Sequence, residues 1–299
     1  MFKKLLATSI LAAMSVGAYA ETSIYGKVNV AIVSADEGDG AVTELSSNAS
    51  RIGFKGSEKL DSGLTFFYKY EIQVDVTDEA KENNLKSRNQ YLGVKGTFGE
   101  LILGRNDTVL KQSQGKMDLF SDAPGDIKNI GWKGENRMGD SITYKTPKFS
   151  GVQFGVSYLI DEENEDSSVS LSAVYGDKAL KKGDYYAAVA MDSEVQGYDV
   201  VRLTGGYKLS GVKLGAMIQS QENIESGEDA SGVMVNAQYK IGSYNLKAQY
   251  QTLEDDSGIT LGTDRKLGNN TKAFAFLTTF TPDSGDDEKY LALGLEHKF

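Results

Sequence analysis

The sequence has no cysteine and almost no histidine or proline, and this scarcity excludes several kinds of functional site. Its 299 residues contain no cysteine, one histidine and three prolines. Without cysteine there is neither a disulfide framework nor a thiolate ligand for zinc. The single histidine, His297, lies at the end of the last predicted strand, which nearly excludes a serine–histidine catalytic site. No glycine loop has the spacing of a phosphate-binding motif, so we expect no enzyme, no cofactor and no bound metal.

Long apolar runs are also missing. Lys3 and Lys4 precede an apolar stretch over 5–17, which is closed by Ala18-Tyr19-Ala20. This order of charged, apolar and small residues is typical of a secretory signal peptide. The stretch is shorter than the roughly 20 apolar residues that a membrane-spanning helix needs, and no later segment approaches that length. We therefore expect a signal peptide over 1–20 and one exported domain over 21–299.

Basic residues are outnumbered by acidic ones. The formal net charge is −10. Proteins that bind nucleic acid neutralise its phosphates with clustered lysine and arginine. The charge therefore argues against nucleic acid as a partner.

Apolar and polar residues alternate with a period of two along the exported domain. In 244–250 the even positions are Tyr, Leu, Ala and Tyr, while the odd positions are Asn, Lys and Gln. Such segments predict strands with one apolar and one polar face. We count about sixteen of them, joined alternately by short turns rich in Gly, Asp and Ser and by longer connections. The longer connections are predicted at 35–47, 77–86, 107–138, 161–167, 222–230 and 281–287.

An alternating sheet of this size suits either a soluble sandwich or propeller, or a membrane barrel whose apolar face meets lipid. Tyr and Phe recur near the ends of the apolar stripes, where a membrane barrel has its interfacial aromatic girdles. The last strand, 291–299, carries Leu, Leu, Leu, His and Phe at its odd positions and ends on Phe299. These features favour an all-β, transmembrane, antiparallel barrel of about sixteen strands.

Several short stretches resemble the general diffusion porins of Gram-negative outer membranes. They are 23–28 (SIYGKV), 50–56 (SRIGFKG), 90–99 (QYLGVKGTFG), 103–106 (LGRN), 142–147 (ITYKTP) and the terminal Phe299. The resemblance implies a homotrimeric barrel in the outer membrane that lets small hydrophilic solutes and ions diffuse through a water-filled channel. It also implies that 107–138 is the third extracellular loop, folded inward as the constriction loop. Lipid, lipopolysaccharide and the insertion machinery that reads Phe299 are the implied partners.

The resemblance also assigns residues to the constriction. It implies a basic ladder on the barrel wall at Lys27, Arg51, Arg88, Arg105 and Lys145, facing acidic residues of the loop at Asp107, Asp118, Asp122 and Asp126. Alternation supports an inward orientation for Lys27 and Arg51, because apolar residues of their strands lie on the opposite face. A cation facing the lipid midplane would cost about 2–4 kcal/mol, so both should face water. Arg105 shares its parity with Leu101 and Leu103, and only a local bulge would turn it inward.

Charge in the predicted outer connections bears on selectivity. Acidic residues cluster there, and an acidic vestibule enriches cations within about 8–10 Å, which suggests a weak cation preference. The alternative is that exposed loops are simply charged. The clusters are Asp36, Glu37 and Asp39; 161–166; Glu222, Glu225, Glu228 and Asp229; and Asp283, Asp286, Asp287 and Glu288.

Two other functions remain open from the sequence. A substrate-selective channel for sugars or organic anions would need a track of aromatic or cationic side chains along the lumen. Tyr25, Tyr185, Lys213 and Lys247 face inward by alternation but form no recognisable track. An outer-membrane barrel hydrolase is the more distant alternative.

Overall fold

A computed structural model describes residues 22–77, 84–160 and 167–299. The predicted signal peptide and the acidic cluster at 161–166 lie outside the described residues. The described residues are almost entirely β-structure. Its strands are β1 Ser23–Asp36, β2 Val42–Ser47, β3 Arg51–Lys59, β4 Thr65–Val74, β5 Leu85–Gly96, β6 Gly99–Asp107, β7 Arg137–Met138, β8 Ser141–Lys145, β9 Val152–Leu159, β10 Ser168–Gly176, β11 Tyr185–Val195, β12 Tyr198–Leu209, β13 Val212–Asn223, β14 Asp229–Ile241, β15 Tyr244–Leu253, β16 Asp256–Lys266, β17 Thr271–Thr281 and β18 Glu288–Lys298.

The strands close into one antiparallel barrel. β1 pairs with β18 from Lys27–Lys298 to Asp36–Lys289, which joins the two ends of the sheet. β2 and β3 both pair with β1 and form one interrupted strand, with Ala49 at φ 50° in the break. β7 and β8 likewise both pair with β6. The barrel therefore has sixteen strands, and the predicted fold class and strand number are confirmed.

The two faces of the wall follow the predicted alternation. On β18 the side chains of Leu291, Leu293 and Leu295 are exposed on the outside, whereas Ala292 and Glu296 are buried on the lumen side. One inward assignment was wrong: Tyr185 lies on the outer face, stacked on Tyr175, while the adjacent Tyr186 is buried inside. Two successive tyrosines leave the parity of that strand ambiguous. Among the described residues, no helix is long and apolar enough to cross a membrane.

Several connections are shorter than predicted. β1 runs to Asp36 and β2 begins at Val42, so the connection predicted at 35–47 shrinks to 37–41. The one predicted at 222–230 shrinks to 224–228 in the same way. At these strand ends the apolar residues do not keep to one face: Val42 and Leu45 lie on opposite faces of β2, and Glu222 and Asn223 of β13 are both polar, so alternation does not reveal the strand. The end of the barrel that carries Thr22 and Phe299 is called the lower end here, and the opposite end the upper end.

The connection between β6 and β7, 108–136, lies inside the barrel; it is called the constriction loop here, after the loop expected at 107–138. It contains a short helix, α1 Val109–Ser113, capped by the Thr108 side chain, and a 3₁₀ turn over Ile127–Ile130, capped by Asp126. Its apolar side chains pack on inward-facing residues of β11–β15 and β17. The resulting cluster is Met117, Ile127, Ile130, Trp132, Leu180, Tyr186, Met217, Met234, Leu253 and Phe280. This half of the lumen is therefore filled, and Trp132 packs the loop against the wall.

A second segment enters the lumen from below. The turn 177–184 between β10 and β11 bends inward, with Leu180 buried in the same cluster. The carbonyl of Lys178 accepts a hydrogen bond from the backbone N–H of Lys116 at 2.9 Å, and Lys213 Nζ donates to the carbonyl of Ala179 at 2.7 Å. The constriction loop is thus supported on its lower side by this turn.

The lipid-facing assignment predicts how the barrel tolerates charge. Leu293 lies at the middle of β18 on the outer face, so Leu293→Arg should destabilise the bilayer-inserted barrel by about 2–4 kcal/mol. Leu209→Arg, at the lower end of β12, should cost only about 0–1 kcal/mol because it reaches the interface. Denaturant unfolding from lipid bilayers measures both; equal losses would contradict the assignment.

Candidate functional site

The open part of the lumen is a polar cavity between the constriction loop and the wall formed by β3–β5. Its water-accessible volume is about 840 Å³. Charged side chains of both signs line it: Arg51, Lys69, Arg88, Lys111, Lys116, Lys128 and Arg137, with Glu71, Asp107, Asp122, Asp126, Glu135 and Glu288. Within the described ranges, no group of three His, Asp or Glu side chains is arranged to hold a metal ion.

Asp122 links the loop to the basic wall. Its backbone is held at φ 68°, and its N–H donates to Asp126 Oδ2 at 2.8 Å. Its carboxylate accepts from Arg51 Nη2 at 2.7 Å and lies 3.4 Å from Lys27 Nζ. Burial alone would raise the pKa of Asp122, but the cations of Lys27 and Arg51 outweigh burial and hold the pKa below its usual range. Asp122 of the loop thus contacts two cations of the wall.

Glu71 is the second carboxylate of this region and was missed in the sequence. It is buried, and Arg88 Nε donates to it at 2.8 Å, while Lys69 Nζ lies at 3.2 Å and Arg51 Nη1 at 3.8 Å. The hydroxyl of Tyr25 also donates to it, at 2.8 Å. A signal existed, because Glu71 shares the inward parity of Lys69 in β4. The structure therefore brings Lys27, Arg51 and Arg88 together around two carboxylates.

Two predicted ladder residues lie elsewhere. Arg105 is opposite Gln90 in the sheet and does not line the cavity; Gly104 beside it has φ 117°, but the pairing of β5 with β6 stays in register there. Its Nε is buried without a hydrogen-bond partner. Lys145 lies below the loop, 3.7 Å from Glu100, and lines a separate cavity beneath α1. Alternation indicates which face a side chain is on but not its height in the barrel.

Two of the four predicted acids hold the loop in shape. Asp118 is buried and accepts hydrogen bonds from the N–H of Phe120 at 2.9 Å and from Gln249 Nε2 at 3.2 Å. Burial, followed by the neighbouring carboxylate of Asp126, raises the pKa of Asp118 to about 8. Asp126 accepts from the N–H groups of Asp122 and Lys128. Both residues thus organise the segment that presents Asp122.

Asp107 faces the cavity at the start of the loop. Its carboxylate lies 2.9 Å from Arg137 Nη2 and 3.8 Å from Lys111 Nζ, and it accepts from Asn89 Nδ2 at 3.0 Å. Burial lowers the pKa of Lys111, and the carboxylates of Glu135 and Asp107 partly offset that effect. The two ends of the loop are therefore joined to each other and to the wall by charged contacts.

Arg202 anchors the far side of the loop and was also missed in the sequence. Its side chain is 0% exposed. Nε donates to Gln219 Oε1 at 2.7 Å, Nη1 to Glu135 Oε1 at 2.7 Å, and Nη2 to the carbonyl of Lys133 at 2.8 Å. The guanidinium also lies 5.8 Å from the ring centroid of Trp132. One wall residue therefore satisfies several polar groups of the loop.

Phe299 completes the wall at the lower end. Its carbonyl accepts from the N–H of Gly26 at 2.9 Å, and its own N–H donates to the carbonyl of Gly26 at 3.2 Å. Its ring lies over Gly26, where a Cβ atom would overlap the ring. The side chain is otherwise exposed on the outer face, next to the first strand.

Comparison with known proteins gives the family. The Gram-negative porin family model matches residues 7–285. The chain belongs to the Gram-negative porin family. The porin is 26% identical over 343 aligned residues to the major outer membrane protein P.IB of Neisseria meningitidis serogroup B, covering 99% of this chain and 100% of that protein. It is also 26% identical to a monosaccharide porin of Halomonas, covering 88% of this chain and 82% of that one.

A solved structure agrees with the fold. The anion-selective porin of Comamonas acidovorans superposes with a TM-score of 0.80 at 22% sequence identity, over 94% of this chain and 100% of that one. The porin described here is an outer-membrane protein whose barrel forms a water-filled channel for passive diffusion of small hydrophilic solutes and ions. The function and location expected from the sequence are thus confirmed.

Asp118 makes the anchoring of the loop depend on pH. The folded pKa of about 8 lies above the ordinary value of 3.8, so the folded state binds the proton more tightly and stability falls as pH rises between these values. We expect thermal unfolding of the detergent-folded protein to shift downward between about pH 5 and about pH 9, and the shift to shrink in Asp118→Asn. The exposed-loop variant Asp286→Asn should behave like the wild type; an unchanged pH dependence in Asp118→Asn would rule out this origin.

Loss of Arg202 should loosen the loop. Removing one partner of a buried ion pair typically costs about 3–5 kcal/mol, because the other charge stays buried and unpaired. In Arg202→Met we expect fluctuating single-channel conductance together with a lower unfolding temperature. Arg265→Met, which removes a guanidinium stacked on Tyr244, is the matched control and should conduct as steadily as the wild type. A quiet Arg202→Met channel would show that the apolar cluster alone fixes the loop.

Proposed function

We propose that solutes pass through the polar cavity that runs along Arg51 and Arg88, beside the contact of Asp122 with Lys27 and Arg51, and that this passage limits what the channel admits. The contact of Asp122 with both Lys27 and Arg51 carries this proposal, because it places the loop directly against the ladder. The rest of the lumen at this height is filled by the apolar cluster under the loop. The upper end is then the extracellular end, and 1–20 is removed during export.

The constriction favours anions in this proposal. Four cations, Lys27, Arg51, Lys69 and Arg88, share the two carboxylates of Glu71 and Asp122. The acidic outer connections act on the vestibule, and salt screens them beyond about 8 Å at physiological ionic strength. The weak cation preference expected from those connections therefore applies at low salt. When salt screens the acidic outer connections, the local excess of positive charge at the constriction determines the ion selectivity.

Assembly and partners follow from the family resemblance. We infer a homotrimer embedded in outer-membrane lipid and lipopolysaccharide, inserted by machinery that reads the exposed Phe299 at the end of β18. Enzymatic activity is not part of the proposal. Substrate-selective transport is the second candidate, and the Halomonas relative described as a monosaccharide porin gives it some support.

Planar-bilayer recording tests the constriction. Under a salt gradient at high ionic strength, where the acidic outer connections are screened, the wild type should show a reversal potential of the sign given by anion preference, with current steps that close in threes. A unit charge about 7 Å away in water contributes about 0.5 kcal/mol, so one charge change should alter each ion's permeability about twofold. Asp122→Asn should therefore strengthen anion preference, and Arg51→Gln should weaken it.

Controls separate the constriction from the rim. Asp286→Asn removes the same charge as Asp122→Asn but lies in the upper connection, so its effect should vanish at high salt. If Asp122→Asn and Asp286→Asn shift the reversal potential equally at every salt concentration, the passage does not lie at Asp122.

A further inference from the structure

A recess in the lumen wall lies below the constriction. It has a volume of about 280 Å³ and is lined by Lys55, Lys69, Lys95, Phe67 and Tyr91, among others. Lys55 follows Arg51 by four residues along β3, about 13 Å at roughly 3.3 Å per residue. Drug-sized ligands occupy pockets from about 300 Å³ upward, so this one suits a solute with a single ring.

Two lysines of the recess, Lys55 and Lys69, face each other across the sheet, which is unfavourable for the barrel itself. Lys55 is directly opposite Lys69 in the β3–β4 pairing, and like charges at such positions destabilise a sheet. Lys69 has a carboxylate partner in Glu71, at 3.2 Å. Glu100 is directly opposite Lys95 in the β5–β6 pairing, but its carboxylate lies 3.7 Å from Lys145, and within the described ranges neither Lys55 nor Lys95 forms a salt bridge. Their ammonium groups are therefore free to donate to a solute.

Aromatic rings lie beside these cations. The ring of Tyr25 covers Gly53 and that of Phe67 covers Gly93, where added Cβ atoms would meet the rings. Tyr91 meets the Phe67 ring edge-on at 6.2 Å between centroids. Packing on glycine explains why the rings lie flat on the wall, but it does not explain the lysines.

The ammonium groups of Lys55 and Lys95 lie over the faces of these rings. Lys55 Nζ lies 5.2 Å from the centroid of Tyr25, and Lys95 Nζ lies 5.6 Å from that of Phe67. An ammonium over a ring keeps its hydrogen-bond donors available on the side away from the ring. Free donors and ring surface therefore line one small space on the conducting path.

We propose that this recess binds planar organic anions of the aromatic carboxylate class. The carboxylate accepts hydrogen bonds from Lys55 and Lys95, and the ring of the solute packs offset or edge-on against Phe67 and Tyr91. An inorganic anion would use the lysines but not the rings, and a neutral sugar would use the rings but not the free charges. Binding in the millimolar range, about −4 kcal/mol, lets the solute leave again, as conduction requires.

Benzoate tests the proposal by single-channel recording in symmetric KCl. Added on the lower side, benzoate should produce resolved current interruptions whose frequency saturates at about millimolar concentration. Acetate, which has the charge without the ring, and benzyl alcohol, which has the ring without the charge, should produce none at the same concentration. Lys55→Gln and Lys95→Gln should each reduce the benzoate affinity about tenfold, and Phe67→Leu should reduce it while acetate stays inactive.

The matched control is Lys208→Gln, which removes a lumen lysine of β12 on the opposite wall and should leave the benzoate response unchanged. Three outcomes overturn the proposal: acetate interrupts the current as benzoate does, Lys208→Gln weakens benzoate as much as Lys55→Gln, or Arg51→Gln alone removes the response. If the Phe67→Leu variant fails to insert into the bilayer, the benzoate responses of Lys55→Gln and Lys95→Gln decide the proposal. The proposal rests on the proposed function only for access through the channel, and the wild-type reversal potential in KCl alone tests that function without benzoate.

Discussion

The buried guanidinium of Arg202 determines where the lumen is open. A charge with no access to water is tolerated only when its donors are satisfied, and here Glu135, the carbonyl of Lys133 and Gln219 satisfy them. Two of those partners belong to the constriction loop, so the loop must lie against β12 for the charge to be accommodated. Burial of Trp132 and its neighbours then fills the adjoining space. What stays open is the crescent along β3–β5.

The uncovered wall explains why the charged side chains are grouped as they are. On the filled side a charge would need a complete set of partners, and in the described structure Arg202 achieves this. On the open side Arg51 and Glu71 both line the polar cavity, so both signs of charge lie within a few ångströms of each other. Asp122 connects the two sides, since the scaffold of Asp118 and Asp126 presents it to the wall. The loop is thus at once a filler of the barrel and one face of its passage.

Much of this architecture is already present in the sequence, because alternation reports faces directly. The sixteen strands, the inward loop at 107–138, and Lys27 and Arg51 follow from parity and from motifs that resemble porins. Height along the barrel does not, which is why Lys145 was grouped with residues that lie above it. Contacts between loop and wall join residues far apart in the chain, as with Arg202 and Glu135, and leave no local pattern. The strand end that follows Asp36 was missed because Val42 and Leu45 lie on opposite faces of β2, so no apolar face marks the strand.

The inward turn 177–184 gives the constriction a second support. Leu180 sits beneath the loop in the apolar cluster, and the carbonyl of Lys178 bonds to the backbone of Lys116. A loop that is held both by the wall and by the turn beneath it is rigid, so bulky solutes cannot displace it. The size and charge of the passage can then change mainly through the side chains of β3–β5, which the loop leaves uncovered. Related porins that admit different solutes should accordingly differ in β3–β5 and keep the contacts that hold the constriction loop in place.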